Sequence, residues 1–182
     1  MNTMLDILGA TIIGGLIFLL ITNLNIYSSK TKFSSDTELT LQQNAKTLAS
    51  MIESDIRKVG YNCSGNPITY AGPTKFSFYS DIDSNGTVDS LTLTESDSTL
   101  LYETQNPNDK IYYRIVDGDT LKAASLGLTK LKFTYKNALG YITTALDSIK
   151  YIEAEIWLES TSKIDTGYAK TYWEVTINPR NL

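Results

Sequence analysis

The chain has 182 residues, enough for one domain and an appendage, with 16 Lys and Arg against 20 Asp and Glu. A formal net charge of −4 argues against a nucleic-acid surface, whose affinity comes from clustered basic side chains on phosphates. With no histidine and Cys63 as the single cysteine, Ser-His-Asp and Cys-His catalysis, the usual zinc sites and an internal disulfide are excluded.

The first predicted element is an apolar helix. From Ile7 to Thr22 no charge occurs, and residues 4–22 just reach the ~20 apolar residues that cross a bilayer. Residues 1–6 hold no Lys or Arg and no Ala-x-Ala site follows, so the run reads as an anchor rather than a cleaved signal peptide. Asp6 stands at its mouth. One reading makes it the helix start, close to headgroups and favourable to the helix dipole. The other has it pair with a positive group, most simply an α-amino terminus, when helices pack side by side. Gly9, Ala10, Gly14 and Gly15 are small enough to let such helices approach closely. Lys30 and Lys32 follow the run, a small positive-inside bias toward a cytoplasmic C-terminal domain.

The helix has no Pro or Gly to stop it over residues 28–37. Beyond, Leu41, Ala45, Leu48, Ile52, Ile56 and Val59 recur at three- and four-residue steps, one apolar stripe that ends at Gly60. The pattern then changes to period two. Strands are predicted at residues 75–80, 90–94, 110–116, 130–136, 150–160 and 170–177. In the fourth, Leu131, Phe133 and Tyr135 alternate with Lys132, Thr134 and Lys136; in the fifth, Ile152, Ala154, Ile156 and Leu158 oppose Glu153, Glu155 and Glu159. These are one-sided antiparallel strands with a wet face, and the helical stripe is the natural cover for the other face. The expected fold is α+β: residues 1–27 a transmembrane or assembly helix, 28–60 an amphipathic helix, and 61–182 an antiparallel β-sheet head.

"LASMIESDIRKVGYNCSG" (48–65), "FYSDIDSNGTVDSLTL" (78–93) and "LGLTKLKFTYK" (126–136), in this order behind a hydrophobic helix, resemble the type IV pilins and type II secretion pseudopilins. More specifically, they resemble PilW- and J-type minor subunits. The resemblance covers most of the chain through degenerate motifs. It implies a pilin-like fold and a non-enzymatic, membrane-anchored filament subunit. The N-terminal helix would pack on those of other pilin-like subunits, with the inner membrane holding it before assembly. The head would lie outside the cytoplasm, against the lysine bias. The family's helix carries a glutamate four residues after the mature first residue; counted from Asn2, Asp6 fills that place. The family's Phe-Thr-Leu-Ile-Glu opening has no counterpart here, and its cysteine normally has a partner that Cys63 lacks.

"DIDSNGTVD" (81–89) offers Asp81, Asp83, Asn85, the Thr87 carbonyl and Asp89 at alternate positions around Gly86. Hard oxygens converging around a glycine turn are the first part of a calcium loop. The bidentate acid expected three residues on is Thr92, and Glu95 substitutes only with a different geometry. The alternative is an Asn-Gly hairpin turn with its acids in solvent. "STSK" (160–163) fits the Ser-x-x-Lys acyl-enzyme pattern but follows a strand and lacks the companion motifs. No small-molecule substrate and no enzymatic activity are expected. The second functional reading is a singly anchored ectodomain for calcium-dependent adhesion or partner binding that does not polymerise.

Overall fold

The computed structural model describes residues 2–96, 104–122 and 126–182. They form one long helix, α1 (Asn2–Arg57), and eight strands: β1 (Ile68–Ala71), β2 (Lys75–Ser80), β3 (Asp89–Glu95), β4 (Tyr112–Val116), β5 (Asp119–Lys122), β6 (Leu128–Lys136), β7 (Tyr151–Glu159) and β8 (Lys170–Ile177). The chain divides into two compact units, Met1–Thr37 and Glu38–Leu182.

The first unit is helix throughout its described residues. It remains helical through Gly14-Gly15 and Ser28-Ser29. Its large apolar side chains are exposed, from Ile17 at 51% to Met4 at 82%. Such a helix cannot be stabilised by a core of its own, and by length and mean hydropathy (2.4) it can cross a membrane or serve as a signal sequence. Polar groups inside it are satisfied locally: the Thr11 and Thr22 hydroxyls each donate to a backbone carbonyl one turn back, at 2.9 Å.

In the second unit the predicted stripe is a core face. Leu41, Leu48, Ile52, Ile56 and Val59 are at most 5% exposed. Helical structure ends at Arg57, where Lys58 and Val59 N–H groups turn back to the Asp55 and Ile56 carbonyls at 3.1 Å. Gly60 follows at φ +76°, and a Cβ there would lie 3.0 Å from the Asn181 carbonyl and the Pro67 ring. Only glycine serves this stop without strain.

The head contains two antiparallel sheets rather than the single one expected. One has the order β1-β2-β3-β4-β5 and the other β6-β7-β8. Period two explains each inner face. Phe76 and Phe78 pair with Leu93 and Leu91 across β2 and β3, and all four are fully buried. Leu131, Phe133 and Tyr135 lie opposite Ile156, Ala154 and Ile152 across β6 and β7. These side chains and the α1 stripe form one core, in which each large residue contributes about 1.5–3 kcal/mol of burial.

Polar contacts join the layers. Glu95 on β3 pairs with Lys110 and accepts the Leu131 N–H of β6 at 2.6 Å. Arg114 on β4 makes a two-pronged bond to Asp55 on α1, at 2.9 and 3.1 Å. Outside, Lys132 and Lys136 meet Glu155 and Glu153, and Trp157 packs on Tyr172 across β7 and β8 with ring centres 5.1 Å apart.

One part of the predicted wet face is not wet. Glu159 is only 8% exposed, because residues 106–108 fold over the end of β7. The Asn106 and Asn108 side-chain amides donate to it at 3.0 and 3.4 Å.

Candidate functional site

The acidic loop lies where β2 hands over to β3. The Ser80–Asp89 pair closes it, so residues 81–88 form a connection longer than a two-residue Asn-Gly turn. Ser84 and Gly86 take positive φ, 61° and 91°, which lets the chain coil back on its own carboxylates.

Asp81 is the hub and is 3% exposed. One oxygen accepts the Asn85 N–H at 3.0 Å; the other accepts the Gly86 N–H at 3.0 Å and the Asn62 side-chain amide at 3.1 Å. Asp83 accepts the Asn85 N–H at 3.2 Å and its side-chain amide at 2.8 Å. Asp89 accepts the Ile82 N–H at 2.9 Å. Burial pushes the Asp81 carboxyl up, but the Asn62 amide and the N–H groups of Gly86, Asn85 and Ser84 outweigh it and hold the group below the usual carboxylate range.

Of the five predicted ligands, the structure gathers three. One carboxylate oxygen each from Asp81, Asp83 and Asp89 lie within 4.8 Å of one another, a grouping that can hold a metal ion. The Asn85 side-chain oxygen instead accepts the Thr87 N–H at 2.7 Å, and Thr87 is exposed. Glu95 does not reach the loop, because Lys110 and the Leu131 N–H engage it. Beside the cluster lies an open groove of about 640 Å³, with Asp83, Asp89, Asp117, Asp119 and Arg114 among its lining residues.

The predicted assembly residues stand in the first unit. Asp6 is exposed and lies beyond the first helical turn, so it does not mark the start of α1. Apart from adjacent residues and the helix's own backbone, nothing among the described residues comes within 4 Å of a Cβ built on Gly9, Gly14 or Gly15, which leaves these positions open to close approach. At about 100° per residue Gly9 and Gly14 fall on different sides, so the small residues do not form one stripe.

Sequence reasoning missed Asn62, which stands at φ +58° and clamps Asp81 from the turn after α1. The φ value suits Asn, but a partner 19 residues away has no local signal. Cys63, beside it, is half-buried and free; burial, then the Asp81 charge, push its thiol up. In the 160–163 stretch, the Ser160 hydroxyl donates to the Ser162 carbonyl at 2.7 Å and accepts the Ala169 N–H at 3.0 Å, while Lys163 lies over the Tyr168 ring.

No protein-family model, no curated protein and no solved structure matches the chain.

Proposed function

We propose that this chain is a membrane-anchored, pilin-like structural subunit, non-enzymatic, of a type IV pilus or a type II secretion-like filament. The observation that carries this reading is the contrast within α1. Its early residues expose Leu, Ile and Phe at more than half of their surface, and its later residues, 41–56, bury theirs in a β-sheet core. An apolar helical surface without a core is stable only in lipid or against other apolar helices, and a filament subunit uses both in turn. Asp6 is the assembly carboxylate in this scheme, paired with a neighbour's α-amino group. Gly9, Gly14 and Gly15 let neighbouring helices close in. The head lies outside the cytoplasm, and the subunit sits in the inner membrane before assembly.

The 81–89 loop serves this head as a calcium site, with Asp81, Asp83 and Asp89 as its carboxylate ligands. Calcium tolerates the irregular oxygen sets that a bent loop offers. The acid cluster and the groove beside it also favour a second reading, a singly anchored ectodomain that adheres or binds a partner through calcium and stays monomeric.

Mass spectrometry of the native N-terminus and electron microscopy of sheared surface material separate the two. The filament reading expects filaments that contain residues 4–27 and are lost in Asp6→Ala. Native protein that begins beyond Tyr27, or unchanged assembly in Asp6→Ala, overturns it.

A further inference from the structure

A second carboxylate site stands at the other end of the head, and its chemistry is incomplete. Asp109 is fully buried, and neither of its oxygens has a hydrogen-bond partner among the described residues. An ionised carboxylate in that condition is strongly destabilising, so buried charges are paired or bind metals.

Among the described residues no lysine or arginine pairs with it. Lys110, next in the chain, is engaged by Glu95, and Lys170 lies 2.8 Å from Glu159 with its own side chain 73% exposed. The segments 97–103 and 123–125 contain no Lys or Arg, and the chain has no His.

The neighbours of Asp109 are oxygen-rich. Its N–H donates to the Asn106 carbonyl at 3.2 Å, and the Thr104 hydroxyl donates to the same carbonyl at 3.3 Å. The Asn106 amide, 2% exposed, links this turn to Glu159 at 3.0 Å and to the Ser160 carbonyl at 3.2 Å. Burial pushes the Asp109 carboxyl up, and the negative charge of Glu159 raises it further. Of these two buried acids, Glu159 has a lysine partner that reaches in from solvent, and Asp109 has none among the described residues.

We propose that Asp109 and Glu159, with the Thr104 hydroxyl, form a cation site separate from the 81–89 loop, and that it takes Ca2+. Two carboxylates and a hydroxyl are hard donors, which disfavours the thiol- and imidazole-seeking metals. Ca2+ accepts such an uneven set, whereas Mg2+ demands near-ideal octahedral geometry. The ion supplies the positive charge that Asp109 lacks and ties residues 104–109 to the end of β7.

The test uses the full chain in detergent micelles. Asp83→Asn with Asp89→Asn silences the other loop while keeping Asp81, whose oxygens hold that loop's backbone. Calcium titration by calorimetry should still show one ion bound per chain. Adding Asp109→Asn should weaken that binding by at least about tenfold. The independent variant Glu159→Gln, which retains an acceptor for Asn106 and Asn108, should do the same, and it decides the matter if Asp109→Asn fails to fold. Absence of calcium binding in the double variant, or unchanged affinity after adding the Asp109 or Glu159 substitution, overturns the proposal.

Discussion

Asp81 and Asp109 are hidden from solvent to the same degree, 3% and 0% exposed, and they have opposite chemistry. Asp81 sits where the chain coils around it, so backbone N–H groups and Asn62 supply three bonds to its two oxygens. Asp109 sits at the end of a turn whose donors face Glu159 instead. Burial alone therefore does not decide what a carboxylate costs; the donors around it do. Asp55 is a third case, 7% exposed and matched by the guanidinium of Arg114. One head domain thus holds an acid satisfied by dipoles, one satisfied by a protein cation, and one with neither.

The sharpest way to break the comparison is to turn the satisfied case into the unsatisfied one. Arg114→Met strips Asp55 of its partner while keeping an apolar stem, and should cost about 3 kcal/mol in thermal unfolding. Adding Asp55→Asn should recover part of that loss, because the uncompensated charge goes. If Arg114→Met is silent, water reaches Asp55 and the three-way contrast collapses.

Titration separates the other two with opposite signs. Asp81 is held low in the fold, so its stability is present above the ordinary carboxylate value, about 3.9, and is lost as pH falls through its lower folded value. Asp81→Asn should therefore flatten the fall in melting temperature on the acid side below about pH 4. Asp109 is pushed up, so without a bound ion the native state keeps its proton longer than the unfolded chain does. Stability then declines as pH rises from about 3.9 through the raised folded value. Asp109→Asn in chelator should remove that decline and melt above the parent at neutral pH. Melting curves that shift in the same direction for both variants would mean the two carboxyls share one environment.

How much of this was legible depends on how local each feature is. The α1 stripe and six strands follow from period 3.6 and period two, because in each the apolar side chains fall on one face. Strand β1 escaped notice because four residues with Tyr70 exposed carry no clean alternation. Strand β5 had a signal that was not used: Asp117-Gly118, both at positive φ (50° and 90°), is the two-residue turn that folds β4 back on β5. The split into two sheets depends on pairings such as Glu95 with Leu131, which no local pattern encodes. The acidic loop was legible because its ligands lie within nine consecutive residues. Asp109 and Glu159 are 50 positions apart, and alternation alone places Glu159 in solvent; only the fold of residues 106–108 over β7 removes it from water.

The smallest expected effect completes the comparison from the exposed side. Lys132 and Glu155 face each other across β6 and β7 at 2.6 Å, closer than the 2.9 Å of the pair at Asp55, but the lysine side chain is 42% exposed. Water screens the attraction, and holding a long side chain in place costs entropy, so distance is a poor guide to its worth. Lys132→Ala should cost about 0.5 kcal/mol, a shift of roughly 1–2 °C in a domain of this size, and should shrink further in molar salt. Arg114→Met should keep most of its larger cost in the same salt, because its partner is buried. A loss at Lys132 equal to that at Arg114 would show that geometry, rather than exposure, sets the strength of ion pairs in this head, and the ranking of Asp55, Asp81 and Asp109 would have to be redrawn on distances alone.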